Sequence, residues 1–166
     1  MVISIKAHGI SEFLGDRSNR KLFERMDGER NYLAFVNKLV GYGMSGGRIA
    51  IAMDGDMLAG CYGYNAVTPT SGCYSEEFLS EVGPDAVMSF AHNIWVRPEY
   101  RGTGLSEKLR SVYTEDAKAH GFTHGVGFMP QTDTIDKWAK SLTDVRVLTA
   151  KDKNGGWITI RSFVTP

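Results

Sequence analysis

The chain opens on alternation. Val2, Ile3 and Ile5 are spaced by Ser4 and followed by Lys6, a pattern that predicts a short strand running to Gly9. Ser11 then stands as an N-cap for "EFLGDRSNRKLFERM", residues 12–26, a helical stretch broken at Gly15. Leu33, Val36, Leu39 and Val40 recur at helical spacing, so "RNYLAFVNKLVGYG", residues 30–43, reads as a second helix. "RIAIAM" and "MLAGCYGYNAV" follow as the arms of a β-hairpin, with Asp54-Gly55 as its turn signal.

Residues 67–85 form a long polar connection in which "SEEFLSEV" predicts one or two helical turns. "AVMSFAHNIWV", residues 86–96, is the fourth strand. The helix after it runs from Gly102 to about His120, closes on Gly121, and places Leu105, Leu109, Val112, Tyr113 and Ala117 on one apolar face. "FTHGVGFM" predicts a fifth strand and "TIDKWAKSLT", residues 134–143, a short helix. "VRVLTAK" and "WITIRSFV" end the chain as a hairpin about "DKNGG". The order β-α-α-β-β-β-α-β-α-β-β, with no repeat and no linker, predicts one mixed α/β (α+β) domain over residues 1–166.

Composition narrows the function classes. Lys plus Arg and Asp plus Glu both count 19, so the formal net charge is zero, which argues against a nucleic-acid binder dependent on phosphate contacts. Cys61 and Cys73 are the only cysteines; two thiols without a framework suit a reducing compartment. No segment approaches the apolar length of a membrane span, and the N-terminus lacks a signal-peptide pattern, so the expectation is a cytoplasmic protein. No His/Cys/Asp cluster has metal-site spacing, so no metal is expected.

The chemistry concentrates at one junction. "HNIWVRPEYRGTGLSEKL" carries a strand through a proline into Arg101-Gly102-Thr103-Gly104 and then directly into a helix. A helix N-terminus leaves backbone N–H groups unpaired and carries partial positive charge, so it attracts phosphate. Glycines there let backbone approach a ligand without a Cβ in the way, and Arg101 adds fixed charge. A plain tight turn with a surface arginine would carry the same residues. The P-loop pattern fails because "GTGLSEKL" lacks its second Gly-Lys pair, and the dinucleotide pattern G-x-G-x-x-G fails because Glu107 holds the third glycine's place.

Val96 to Leu109, "VRPEYRGTGLSEKL", resembles the coenzyme A motif of the GNAT N-acetyltransferase superfamily, V-x-P-x-x-[RQ]-x-x-G-x-[GA] with a leucine three residues on. Arg101 fills the Arg/Gln place and Gly104 the central glycine, while Ser106 replaces the final Gly/Ala, a small departure. The predicted element order resembles that family's fold over nearly the whole chain. The resemblance implies a mostly antiparallel sheet of about six or seven strands, flanked by about four helices, with strands four and five splayed. It implies acetyl-CoA, or another acyl-CoA, in the cleft between those strands. Backbone of Gly102, Thr103, Gly104, Leu105 and Ser106 would hold the pyrophosphate beside Arg101. Ile94, Trp95 and Val96 would run along the pantetheine arm, with "GVGFM" at 125–129 as the opposite wall.

Members of that family pass the acyl group directly to an amine, which calls for a neutral amine, a stabilised oxyanion and protonation of the leaving thiolate. His92 is the candidate base, since strand alternation puts it on one face with Phe90, Ile94 and Val96; a partly buried strand histidine bonded to a carbonyl would look the same. Asp85, Glu76 and Glu77 are weaker candidates. The backbone N–H of Val96 is the candidate oxyanion donor. "DKWAKSLT" is similar to the family's N-x-x-A-x-x-[LF]-Y segment, but Thr143 takes the tyrosine's place and no tyrosine follows Tyr113. That leaves Ser141 or a water as the candidate acid, an acid from another region, or no dedicated acid. Trp138 and Trp157 read as packing residues, Trp95 and Tyr100 as packing or cofactor neighbours, Cys61 as a buried small hydrophobe and Cys73 as a loop thiol. His120 and His124 are not read as ligands.

The expectation is therefore an acyl-CoA-dependent N-acetyltransferase acting on a primary amine of a small molecule or protein, with a homodimer compatible with the pattern. The competing expectation is a GNAT-fold binding or regulatory protein, weak or inactive in catalysis, that works through a partner.

Overall fold

A computed structural model describes residues 2–23, 26, 37–41, 46–67, 74–128, 146–151 and 157–162, with backbone only at His92, Asn93, Phe128 and the last two segments. Seven strands are hydrogen-bonded in the order β1-β2-β3-β4-β5-β7-β6: β1 Ile3–Gly9, β2 Arg48–Asp54, β3 Met57–Val67, β4 Met88–Val96, β5 His124–Phe128, β6 Arg146–Lys151 and β7 Trp157–Ser162. The β1–β2, β2–β3, β5–β7 and β6–β7 ladders are antiparallel, and β4–β5 is parallel over Met88–Phe90 and His124–Val126. The helices are α1 Ile10–Gly15, α2 Arg17–Leu22, α3 Glu76–Val82 and α4 Leu105–Ala119; residues 37–41 are also helical. The expected mixed, mostly antiparallel α/β fold is the one observed.

The chain forms two compact units, one from residues 1–65 and 92–116, the other from 66–91 and 117–166. In the first, β1 shows the expected alternation, with Ile3 and Ile5 less exposed than their neighbours. The turn between β2 and β3 is Gly55-Asp56, with Asp54 paired to Met57, so Gly55 holds the first central position at φ +57°. That is the glycine position of a II′ hairpin turn. β3 is buried on nearly its whole length, Leu58 through Tyr64, and so alternates less than an edge strand would. Ile10, Phe13, Leu14, Phe23, Leu39, Ile49, Ile51, Leu58 and Cys61 form its core, with Trp95 packed against them.

Two helix starts correct the sequence reading. Ser11 does not cap α1: the helix begins at Ile10 after Gly9, whose cap position makes no side-chain bond, while the Ile10 N–H goes to the Gly47 carbonyl at 2.9 Å. A tertiary acceptor thus replaces a local one. Gly15 ends α1 as expected, and Asp16 restarts the chain by accepting from the Ser18 N–H at 2.8 Å. Near the other end, α4 begins at Leu105, three residues later than Gly102, because Gly102 and Gly104 take left-handed φ of 74° and 78°.

The far end of α4 is tied to β2 and β3. Arg48 meets Asp116 through two bonds of 2.6 and 2.9 Å, and the Tyr64 hydroxyl donates to the same carboxylate at 2.6 Å. Tyr62 and Tyr64 each pack edge-on against Tyr113 of α4, at 5.1 and 4.8 Å between ring centroids. Burial first, and then the hydrogen bond to Asp116, push the Tyr64 phenol above its ordinary range.

The second unit packs Tyr74, Phe78, Val82, Ala86, Met88 and Val126 together, with Tyr74 stacked on Phe78 at 4.4 Å. "SEEFLSEV" is α3, capped by Ser75, whose hydroxyl accepts from the Phe78 N–H. The Thr123 N–H bonds the Val87 carbonyl at 2.8 Å, which fixes the start of β5 beside β4. The short helix expected at 134–143 lies outside the described residues. No helix among the described residues is long and apolar enough to cross a membrane.

Candidate acyl-donor site

At the end of β4, Pro98–Tyr100 forms a single 3-10 turn held by Tyr100 N–H and Arg101 N–H bonds to the Arg97 and Pro98 carbonyls. Proline suits that first position because its missing N–H would have no partner there. Tyr100 is buried, and its hydroxyl donates to Asp54 at 2.7 Å, which together anchor the turn on the β2–β3 hairpin. That bond also raises the Tyr100 phenol above its ordinary range. Residues 101–104 then turn into α4, whose first intrahelical bond runs from the Lys108 N–H to the Gly104 carbonyl at 3.2 Å. The N–H groups of Leu105, Ser106 and Glu107 precede that bond, so none has a backbone acceptor within the helix.

These segments enclose a groove of about 550 Å³ lined by Ile94, Trp95, Val96, Tyr100, Arg101, Gly102, Gly104, Leu105, Ser106 and Glu107. The sequence-predicted donor residues thus come together on one groove, except Thr103, whose hydroxyl turns away to the Tyr100 carbonyl at 2.7 Å. No atom lies within 4 Å of a Cβ built at Gly102 or Gly104, so their conformation, not crowding, requires glycine in the free protein.

The strand side has an ordered polarity. The Arg97 N–H bonds the Ala59 carbonyl of β3 at 2.9 Å. Strand alternation then points the backbone groups of Ile94 and Val96 to the opposite edge. The Arg101 guanidinium folds onto that edge, donating from Nε to the Val96 carbonyl at 3.1 Å. Arg97 lies over the Trp95 ring at 5.7 Å and donates to the Leu58 carbonyl, fixing the strand beneath. Trp95 both packs on the first unit's core and lines the groove, which joins the two roles the sequence left open.

One groove residue escaped the sequence reading as a ligand neighbour, Glu107, a charge; Tyr100, left open there as a packing residue or cofactor neighbour, is a fixed wall of the groove. The Glu107 carboxylate accepts from the Ser106 hydroxyl at 2.8 Å and lies 3.8 Å from Arg110. The Ser106 hydroxyl, helped by the residue's own backbone N–H, holds it below the usual carboxylate range. Its place just inside a helix start, where acidic residues favour the dipole, was the available signal.

For the catalytic candidates the structure places less. His92 lies on β4, two residues before Ile94, with its backbone described; Ser141 and Thr143 lie outside the described residues. His124 hydrogen-bonds Thr123 at 2.8 Å, and burial lowers its pKa. Cys61 is fully buried, and that burial pushes its thiol up.

No family model matches the sequence, and no curated protein matches it. Solved structures do. A proposed GNAT-family acetyltransferase from Desulfovibrio desulfuricans aligns over 98% of this chain and 100% of its own, with a TM-score of 0.61 at 12% identity. A GNAT-family acetyltransferase from Staphylococcus aureus Mu50 covers 98% and 100%, with a TM-score of 0.56 at 13% identity. The PaiA N-acetyltransferase from Thermoplasma acidophilum, solved in complex with coenzyme A, covers 98% and 99%, with a TM-score of 0.57 at 10% identity. The chain has the fold of the GNAT acetyltransferase superfamily.

Proposed function

We propose that this protein is an acyl-CoA-dependent N-acyltransferase that uses acetyl-CoA and passes its acetyl group directly to a primary amine. The observation that carries the reading is the groove itself. A strand edge, an arginine and a helix N-terminus with two left-handed glycines line one cavity in a GNAT fold. Each part suits one part of the donor. The N–H groups of Leu105 and Ser106, with the helix dipole, suit the diphosphate. Arg101 adds a charge-assisted bond to the same anion. The outward backbone groups of Ile94 suit an amide of the pantetheine arm, which would run beside β4 as a strand does.

In the transfer step, the amine nitrogen attacks the thioester carbonyl, the carbonyl oxygen gains charge, and the C–S bond breaks as the tetrahedral intermediate collapses. The Val96 N–H is the group on this chain suited to that oxyanion. His92, on the same strand, would take the amine proton directly or through a water. With threonine at 143, protonation of the departing thiolate falls to Ser141 or water, and the positioning of amine against thioester supplies a large share of the rate.

Calorimetry with acetyl-CoA on wild type and Arg101→Ala tests the donor site. The expected result is binding by the wild type and a loss of roughly tenfold or more in the variant, as for one charge-assisted bond. No binding by the wild type would sink the assignment. A screen of amine acceptors with thiol-release detection tests the chemistry. Coenzyme A binding without turnover across the acceptors would instead favour a non-catalytic, partner-dependent role.

A further inference from the structure

β1 ends the sheet, and its register sets Ser4, Lys6 and His8 opposite Met53, Ile51 and Ile49 of β2. Paired residues share a face. β1 therefore turns three polar side chains to the face on which Ile49 and Ile51 join the core, and Ile3 and Ile5 to the other. A strand that merely extended that core would do the reverse. The result is a second groove in the first unit, of about 420 Å³. Its floor is apolar: Ile51 and Phe13 are buried, and Met53 and Leu22 pack against the same core. Ser4, Lys6 and His8 form its strand wall, and Glu12, Asp16 and Asn19 its helix wall. None of these residues lines the acyl-donor groove.

Two of the polar residues have local partners: Asp16 accepts from the Ser18 N–H, and Asn19 donates to the Phe13 carbonyl at 3.0 Å. Lys6, His8 and Glu12 make no hydrogen bond or ion pair among the described residues. The His8 ring rests against Phe13, with 5.1 Å between centroids. One Glu12 oxygen lies 3.7 Å from where a Cβ would stand on Gly9, three residues and about 10 Å of strand beyond Lys6. Opposite charges that line one groove without meeting leave a place for a molecule that carries both. Guarding a sheet edge against pairing would account for Lys6. It would not account for His8 and Glu12 around an apolar floor.

We propose that this groove binds a small zwitterion, an α-amino acid with an aliphatic side chain. Lys6 and His8 take its carboxylate, Glu12 takes its ammonium group, and Ile51, Met53 and Leu22 cover its side chain. Both charges of the ligand then meet a charge-assisted partner, while its apolar body leaves water. A ligand that lacks either charge leaves one wall unmatched, so the groove selects against acylated and amidated forms.

The probe is L-leucine, titrated into the isotope-labelled protein and followed by NMR and calorimetry. Amide shifts should gather at residues 4–8, 12–22 and 49–53. N-acetylleucine, without the ammonium charge, and leucinamide, without the carboxylate, should each bind roughly tenfold or more weakly. Lys6→Ala and Glu12→Gln should each weaken leucine binding by a similar factor, roughly tenfold, whereas Lys6→Arg should keep most of it. Both side chains are exposed, so the variants should unfold at the wild-type urea midpoint. The titration uses no coenzyme A, so its outcome is separate from that of the donor site. Absence of shifts in these segments overturns the proposal, and so does equal binding of the three ligands. Unchanged leucine binding by Lys6→Ala also overturns it, and would leave Lys6 as the guard of a sheet edge.

Discussion

Gly104 shows how a single residue can matter more to a complex than to a fold. Its φ of 78° disfavours any Cβ, yet nothing in the free protein would touch one. Gly104→Ala should therefore cost only about 1 kcal/mol of stability, the strain of a left-handed alanine. Coenzyme A affinity should fall further, by roughly tenfold or more, because the methyl group enters the space a diphosphate approaches. Chemical denaturation and calorimetry on the same variant separate the two numbers; equal losses in both would contradict the site. Gly104 was legible from sequence because a left-handed backbone dictates glycine locally, whereas Arg101 and Ser106 were read from the motif resemblance. Tyr100 was left open because its role depends on Asp54, 46 positions away, through a hydrogen bond that no spacing encodes.

Among elements, the close approach of β3, β4 and α4 turns on Gly60. A Cβ there would lie 2.9 Å from the Trp95 carbonyl and 3.0 Å from a Leu109 methyl. The first neighbour is backbone and cannot rotate away. Gly60→Ala should destabilise the protein by about 1–3 kcal/mol through overpacking. It should also weaken coenzyme A binding, because the strand pushed aside carries Ile94, Trp95 and Val96. Urea unfolding beside calorimetry reads both effects, and a variant as stable as wild type would show that β4 can give way freely. Strands and the β2–β3 hairpin were legible because period-two patterning is a local property. The start of α1 was not, since its first N–H bonds Gly47 rather than a neighbouring side chain. Nor was the exact start of α4, where the chain spends 101–104 turning before it coils.

At the scale of the molecule, pH reports on what is buried. Cys61 and Tyr64 are both held neutral in the folded chain, with thiol and phenol pushed above ordinary values of 9.0 and 10.0. The unfolded chain therefore releases these protons first as pH rises. Their contribution to stability is complete below about pH 9 and is lost above it, at up to about 1.4 kcal/mol per pH unit for each group. His124 acts on the other side. Its lowered pKa keeps stability intact above its ordinary value of 6.5 and removes it as pH falls through the folded value. Urea midpoints measured from pH 5 to 11 should show both declines, and Tyr64→Phe should flatten the alkaline one above pH 10; an unchanged slope would contradict Tyr64's assigned environment. That the fold was readable in outline reflects its dependence on pattern. Identity of only 10–13% to the three solved structures named above shows how little else that pattern needs.

The bonds from Arg48 and Tyr64 to Asp116 have a mechanical consequence. Asp116 and Gly104 lie at opposite ends of a helical rod about 18 Å apart along the axis. The rod is tied to β2 and β3 at one end by Asp116 and to the same hairpin at the other by the Tyr100–Asp54 bond and the buried Leu105, so a tilt of about one degree at Asp116, worth about 0.3 Å at the glycine turn, is resisted at both ends. An ion pair remote from the groove thereby shares with Asp54 in holding the helix start in place.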